Sequence, residues 1–405
     1  MLVNAASRGD VRVVKYLLAE EYSFVDSDID VWSDQKTPPW PSVRWVSDDP
    51  YRPNHGLRDE MRETFYVPVL DTTCALIEAA KHNHLAVVQA LLEADAWVDN
   101  DNDVRQTALM FAAANGHTAV VETLIRADAE IDCKDFYKRT ALMYASWRGQ
   151  VEVVKKLLAE GADPNLIDEF SENALVIAVE NKHVEVVDAL LTGGADPNHM
   201  YKRQIEVSWH FQGRFYYGKT TALCGAIMRR NVPMVTRLIA SGALIHGDRI
   251  EAGMDDRINA LLFACELKDT AILRLLLEAL NKNGETNYAA PVWNRTLKAA
   301  ANLGPLEAVK VLLTAEVVRF DQEGLRAALH CAAARGDAGI TAVLLAAGAD
   351  ASSAIEHALN RNNLEVVEMI LDAAAGNDQD SEVANILPPS IVNLLMAHGV
   401  APRCV

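Results

Sequence analysis

The phrase TALMFAAANGHTAVVETLI at residues 107–125 returns as TALMYASWRGQVEVVKKLL at residues 140–158, one step of 33 residues later. Related phrases open at Cys74, Asn173 and Thr221, then at Asn259, Arg295, Ala327 and Ser353, and a clipped copy opens at Leu2. A unit this small cannot bury its own apolar side, so copies have to stack, each against its neighbours. A single globular core would be overgrown at 405 residues, whereas the core of a stack lengthens with the chain. The period therefore predicts one all-α helical solenoid over residues 1–405, of about ten repeats with degenerate caps.

Within one copy, Ala108, Leu109, Ala112 and Ala113 make a narrow face of small side chains on a first helix, which Gly116 ends. Val120, Val121, Leu124 and Ile125 then give a second helix a bulkier stripe. Small residues on one helix and branched ones on the other make each layer a wedge, so the stack is expected to curve with the first helices inside. Gly161-Ala162-Asp163-Pro164-Asn165 and Gly194-Ala195-Asp196-Pro197-Asn198 are turns between units. Residues 388–405 read as a closing second helix, a C-terminal cap.

Thr107, Leu109, Ala112, Ala113, Gly116, His117, Val120, Val121 and Leu124, with the later turn Gly348-Ala349-Asp350, resemble the ankyrin repeat over nearly the whole chain. The resemblance implies a curved solenoid with short β-hairpin fingers, and partner contacts at finger tips and at the ends of first helices on the concave face. Alanine replaces the family's helix-starting proline, and its first-helix histidine survives only as His330. Asn83, Lys182 and Lys268 stand where a helix-ending glycine is usual, which predicts looser or differently shaped junctions there.

The repeat is interrupted in two places. The first copy lies about 40 residues further from Cys74 than the period allows, and the step from Asn173 to Thr221 is 48 residues. Fourteen aromatic residues lie between Tyr22 and Tyr66 and between Tyr201 and Tyr217. The first insertion, residues 23–70, carries Trp40, Trp45 and Tyr51 among prolines. The second, residues 199–220, alternates through Ile205, Val207, Trp209 and Phe211 and then turns at Gln212-Gly213, which predicts a β-hairpin. A two-residue turn would pair Trp209 with Tyr216 and His210 with Phe215. Order in these insertions has a structural explanation, since burying one large apolar side chain contributes roughly 1.5–3 kcal/mol. Aromatic enrichment is equally the mark of interface anchors.

Acidic residues exceed basic ones, giving a net charge of −18, a field that repels phosphate backbones and anionic lipid and leaves room for a basic protein partner. Nucleic acid and membrane are not expected as ligands. Six cysteines lie far apart, with no close pair for a metal or a redox couple, and no leader precedes them, so a cytosolic or nuclear compartment is expected. No metal motif, phosphate loop or serine elbow appears, and no cofactor is expected.

Two readings of function remain. In the first, the chain is a noncatalytic scaffold that grips a protein segment through the concave face and the insertions. Its contact set is Trp40, Trp45, Tyr51, His82, Phe136, Tyr137, Trp147, Arg148, Glu180, Trp209, Phe211, Tyr216, Tyr217 and Arg229. Trp147 stands where the repeat tolerates almost any side chain, unlike Trp97, which reads as packing. In the second, the insertions close over the groove as an aromatic pocket for a small apolar ligand, as in a cyclase, with His55, His210, Asp48 or Asp49 moving protons. His84, His117 and His183 hold the family position after the helix junction, where histidine is structural.

Overall fold

Most described first helices stop on left-handed backbone, which turns the chain back into an antiparallel second helix. Gly116, Gly149 and Gly336 end three first helices at φ of 76°, 74° and 76°. Asn83 (φ 62°) and Lys182 (φ 65°) take the same conformation at their junctions, which corrects the expectation of a different shape there. The turn is held by hydrogen bonds back into the helix, such as His84 N–H to the Ala79 carbonyl and His183 N–H to the Ala178 carbonyl. Those bonds make a side chain tolerable where glycine would be unstrained. Lys268 lies outside the described residues.

This computed structural model describes residues 1–19, 69–206, 215–245, 260–267, 270–282, 290–315, 318–351, 354–359 and 364–376. Nearly all of insertion 23–70, residues 207–214 of the second insertion, and the cap at 388–405 lie outside them. The chain forms two compact units, Met1–Glu169 and Phe170–Val405.

Unit one contains α1 (Leu2–Ser7), α2 (Val11–Ala19), α3 (Val69–Lys81), α4 (Leu85–Glu93), α5 (Ala108–Asn115), α6 (Thr118–Arg126), α7 (Ala141–Arg148) and α8 (Val151–Ala159). Odd-numbered helices pack in one row and even-numbered helices in a second, and each pair forms a hairpin. Ala108, Leu109, Ala112 and Ala113 are buried in the first row, and Val120, Val121 and Leu124 in the second, as the spacing predicts. α1 packs directly on α3, and His84 Nε2 lies 3.0 Å from the Ser7 carbonyl oxygen. The first two hairpins are thus consecutive layers, although residues 20–68 separate them in the chain.

Unit two repeats the plan with α9 (Ala174–Glu180), α10 (Val184–Thr192), α11 (Ala222–Met228), α12 (Val232–Ala240), α13 (Ala260–Glu266), α14 (Ala271–Lys282), α15 (Ala290–Leu303), α16 (Leu306–Thr314), α17 (Gln322–Arg335), α18 (Ala338–Ala346), α19 (Ile355–Leu359) and α20 (Leu364–Gly376). Between α10 and α11 run β1 (Met200–Glu206) and β2 (Phe215–Thr221), an antiparallel pair. Its register pairs Ile205 with Tyr216, Gln204 with Tyr217 and Glu206 with Phe215. The expected pairing of Trp209 with Tyr216 is therefore wrong by four positions. The pairing is anchored at the root, where buried Tyr201 faces buried Thr220.

Candidate functional site

In unit one the loops that join α4 to α5 and α6 to α7 are tight fingers built on an acceptor side chain. Asn102 Oδ1 accepts the Val104 and Gln106 N–H groups at 3.1 and 2.9 Å, and Asp135 Oδ1 accepts those of Tyr137 and Arg139 at 2.8 and 2.7 Å. The finger then turns through left-handed Arg105 and Lys138. Neighbouring fingers are bonded, with Phe136 N–H donating to the Val104 carbonyl at 2.9 Å and Glu169 N–H to the Tyr137 carbonyl at 3.1 Å. Phe136 is held by both its own turn and the preceding finger, yet its side chain is 53% exposed.

A buried polar chain lies beneath these fingers. Tyr144 Oη donates to Asp135 Oδ2 and accepts from Gln106 Nε2, each at 2.7 Å, and Asn102 Nδ2 donates to Gln106 Oε1 at 3.1 Å. Arg139 Nε lies 3.7 Å from Asp168 Oδ2, with both side chains nearly inaccessible. Burial pushes the Asp135 carboxyl above its ordinary value, against the lowering effect of the Tyr144 hydrogen bond. The Tyr144 hydroxyl is pushed up strongly, first by burial and then by the Asp135 charge. A network satisfied this far is a brace that fixes the fingers, because each broken link would strand a buried partner.

At the far ends of the first helices, successive layers are tied through side chains to backbone. His117 Nε2 lies 3.0 Å from the Lys81 carbonyl oxygen, Asn115 Nδ2 donates to the same oxygen at 3.4 Å, and Gln150 Nε2 donates to the Ala114 carbonyl at 3.3 Å. His84 and His117 thus brace neighbouring layers. His82 is exposed and lies 3.3 Å from Glu78, which Lys81 also contacts at 3.1 Å. Trp147 is 9% exposed, and the exposed Arg148 guanidinium sits 4.4 Å from the centre of its ring. Trp97, expected as packing, is instead 72% exposed, because it occupies the turn after α4 at the step where later copies carry Glu130 and Asp163.

In unit two the structure brings together two residues that the sequence places on separate helix ends. Glu180, closing α9, pairs through Oε2 with Arg229, which follows α11, and Arg229 Nε also donates to the Glu180 carbonyl at 3.1 Å. Tyr201 Oη, from the root of β1, donates to Glu180 Oε1 at 2.8 Å. Gly225 admits this arrangement, since a Cβ there would meet Tyr201 Oη at 3.1 Å and Glu180 Oε1 at 3.2 Å. Tyr216 and Tyr217 are placed in β2 by their register alone. Trp40, Trp45, Tyr51, Asp48, Asp49, His55, Trp209, His210 and Phe211 lie outside the described residues.

Sequence reasoning missed the Gln106–Tyr144–Asp135 brace and the Tyr201 anchor. A signal was present for the first: Asn102, Asp135 and Asp168 recur at 33-residue steps, and Tyr144 is a polar aromatic where Phe111 and Ile177 stand in adjacent copies. Among the described residues, no cluster of histidine, cysteine and carboxylate could hold a metal, and no helix is long and apolar enough to cross a membrane. A family model described as ankyrin repeats matches in three copies, at residues 76–168, 138–201 and 175–287, which together span just over half of the chain. No curated protein matches it.

Proposed function

Since the chain belongs to the ankyrin-repeat family, whose repeats mediate protein–protein interaction, we propose that it is a scaffold that grips a protein segment along its finger tips and first-helix ends. The observation that carries this reading is Phe136: an aromatic ring more than half exposed on a finger whose backbone is fixed from both sides. Rigid presentation lowers the ordering cost of binding, and aromatic anchors flanked by arginine supply much of the energy of protein interfaces. Phe136, Tyr137, Trp147, Arg148 and His82 form the contact set in unit one. In unit two, Glu180 and Arg229 are engaged with each other, so their part is to fix the root of the hairpin rather than to meet the partner directly. The five described cysteines form no disulfide with one another, which suits a reducing compartment such as the cytosol.

Capture of a partner from cell extract by the full chain tests this reading. Phe136→Ala combined with Arg148→Ala is expected to abolish capture while the helical circular dichroism stays unchanged. Glu160→Lys, on the second-helix side, is expected to leave capture intact. Capture that survives the double substitution would overturn the proposal.

A further inference from the structure

Resting on that reading, we infer that the row of first-helix ends in unit one, Lys81, His82, Asn115 and Arg148, is a track for an extended, carboxylate-bearing segment of the partner protein. The net charge of −18 points to a basic partner, but charges separated by more than about 8 Å of physiological salt solution are largely screened. What decides the contact is the local set, and in this row the cations Lys81 and Arg148 outnumber the one carboxylate, Glu78. Glu78 is buried and already engaged by Lys81 and His82. Many carboxylates of unit one stand elsewhere: Glu93, Glu122, Glu152 and Glu160 in or directly after the second-row helices, Asp99 and Asp132 in the turns that follow them.

Cations at helix C-termini are often explained by the helix dipole and by capping of terminal carbonyls. At the ends of α3 and α5 the next layer does that work, because the Lys81 carbonyl accepts from Asn115 and lies against His117, and the Ala114 carbonyl accepts from Gln150. Arg148 makes no ion pair among the described residues. It is held over the Trp147 ring at 4.4 Å, which pre-orders a planar donor fork suited to a carboxylate. Stacked helices are about 8–10 Å apart, so Lys81 and Arg148, two layers apart, are separated by roughly 16–20 Å. An extended chain covers that span in about six residues. The partner segment thus carries acidic side chains about six residues apart.

Fluorescence anisotropy with the full chain tests the assignment. The probes are two labelled peptides of about twelve residues, one with two glutamates about six positions apart and one with lysines in their place. The glutamate peptide is expected to bind about tenfold more tightly than the lysine peptide, to weaken with added salt, and to lose about tenfold in affinity with Arg148→Glu or Lys81→Glu. Arg148→Lys, which keeps charge but loses the stacked fork, is expected to fall between. Equal or tighter binding of the lysine peptide, an Arg148→Glu variant that binds unchanged, or no binding of the glutamate peptide at about millimolar concentration overturns the acidic assignment. The scaffold reading survives each of these results as long as Phe136→Ala with Arg148→Ala still abolishes capture from extract.

Discussion

Lys182 sits at φ 65°, in backbone that costs a residue with a Cβ roughly 1–2 kcal/mol relative to glycine. Lys182→Gly is therefore expected to stabilise the chain by about 1 kcal/mol in denaturant melts, and Asn83→Gly by less, because asparagine tolerates this region better. No gain for Lys182→Gly would show that glycine's extra freedom in the unfolded chain offsets the relieved strain. Tyr144→Phe should act in the opposite direction. It removes the hydroxyl that Gln106 and Asp135 share and leaves both partners buried, for an expected loss of about 1–3 kcal/mol by chemical denaturation. A neutral result would mean that water replaces the hydroxyl. At this scale the sequence was only partly readable. The recurrence of Asn102, Asp135 and Asp168 was visible, but the meeting of Tyr144 with Gln106, 38 positions earlier, depends on how two layers stack.

The hairpin root shows what a single element demands of its neighbour. Alanine is a better helix former than glycine by about 1 kcal/mol, so propensity alone favours Gly225→Ala. Packing opposes it, because Tyr201 is almost fully buried and its hydroxyl is held by Glu180, leaving little room to retreat from a new Cβ at 3.1 Å. Gly225→Ala is expected to be net destabilising, and Tyr201→Phe should make the same substitution less costly in a double-mutant cycle. Additive effects would separate the two residues. The same contact bears on the mistaken register: alternation and a glycine announced the hairpin, but its pairing is anchored at the opposite end, by buried Tyr201. A further element-scale effect concerns α17 and α19, where the His330 and His357 rings stack 4.5 Å apart. Burial, then the neighbouring His357 and Arg326, holds His330 below its ordinary value near 6.5. The neutral ring is thus the form that suits the folded layer. Stability that is full above about pH 6.5 should be lost as pH falls through that value and below it. Hydrogen exchange in α19 is expected to rise on acidification beyond the intrinsic rate change, and His330→Gln should remove the rise.

At the scale of the whole molecule, repetition made the architecture legible because copy after copy states the same two helices. Function is less legible, because it depends on positions at which copies differ. Phe136 and Arg148 stand out in the sequence as departures from their equivalents in other layers, whereas the burial of Trp147 beside Arg148 and the exposure of Trp97 depend on packing that the sequence does not display. Recognition is proposed for the first-helix edge and fingers, with rigidity supplied by the stacked rows beneath. Hydrogen exchange of the full chain, with and without its captured partner, tests this division most directly. Protection is predicted at residues 78–84, 111–117 and 135–150, with residues 85–93, 118–126 and 151–159 unchanged. Protection confined to those second-row helices would contradict the account.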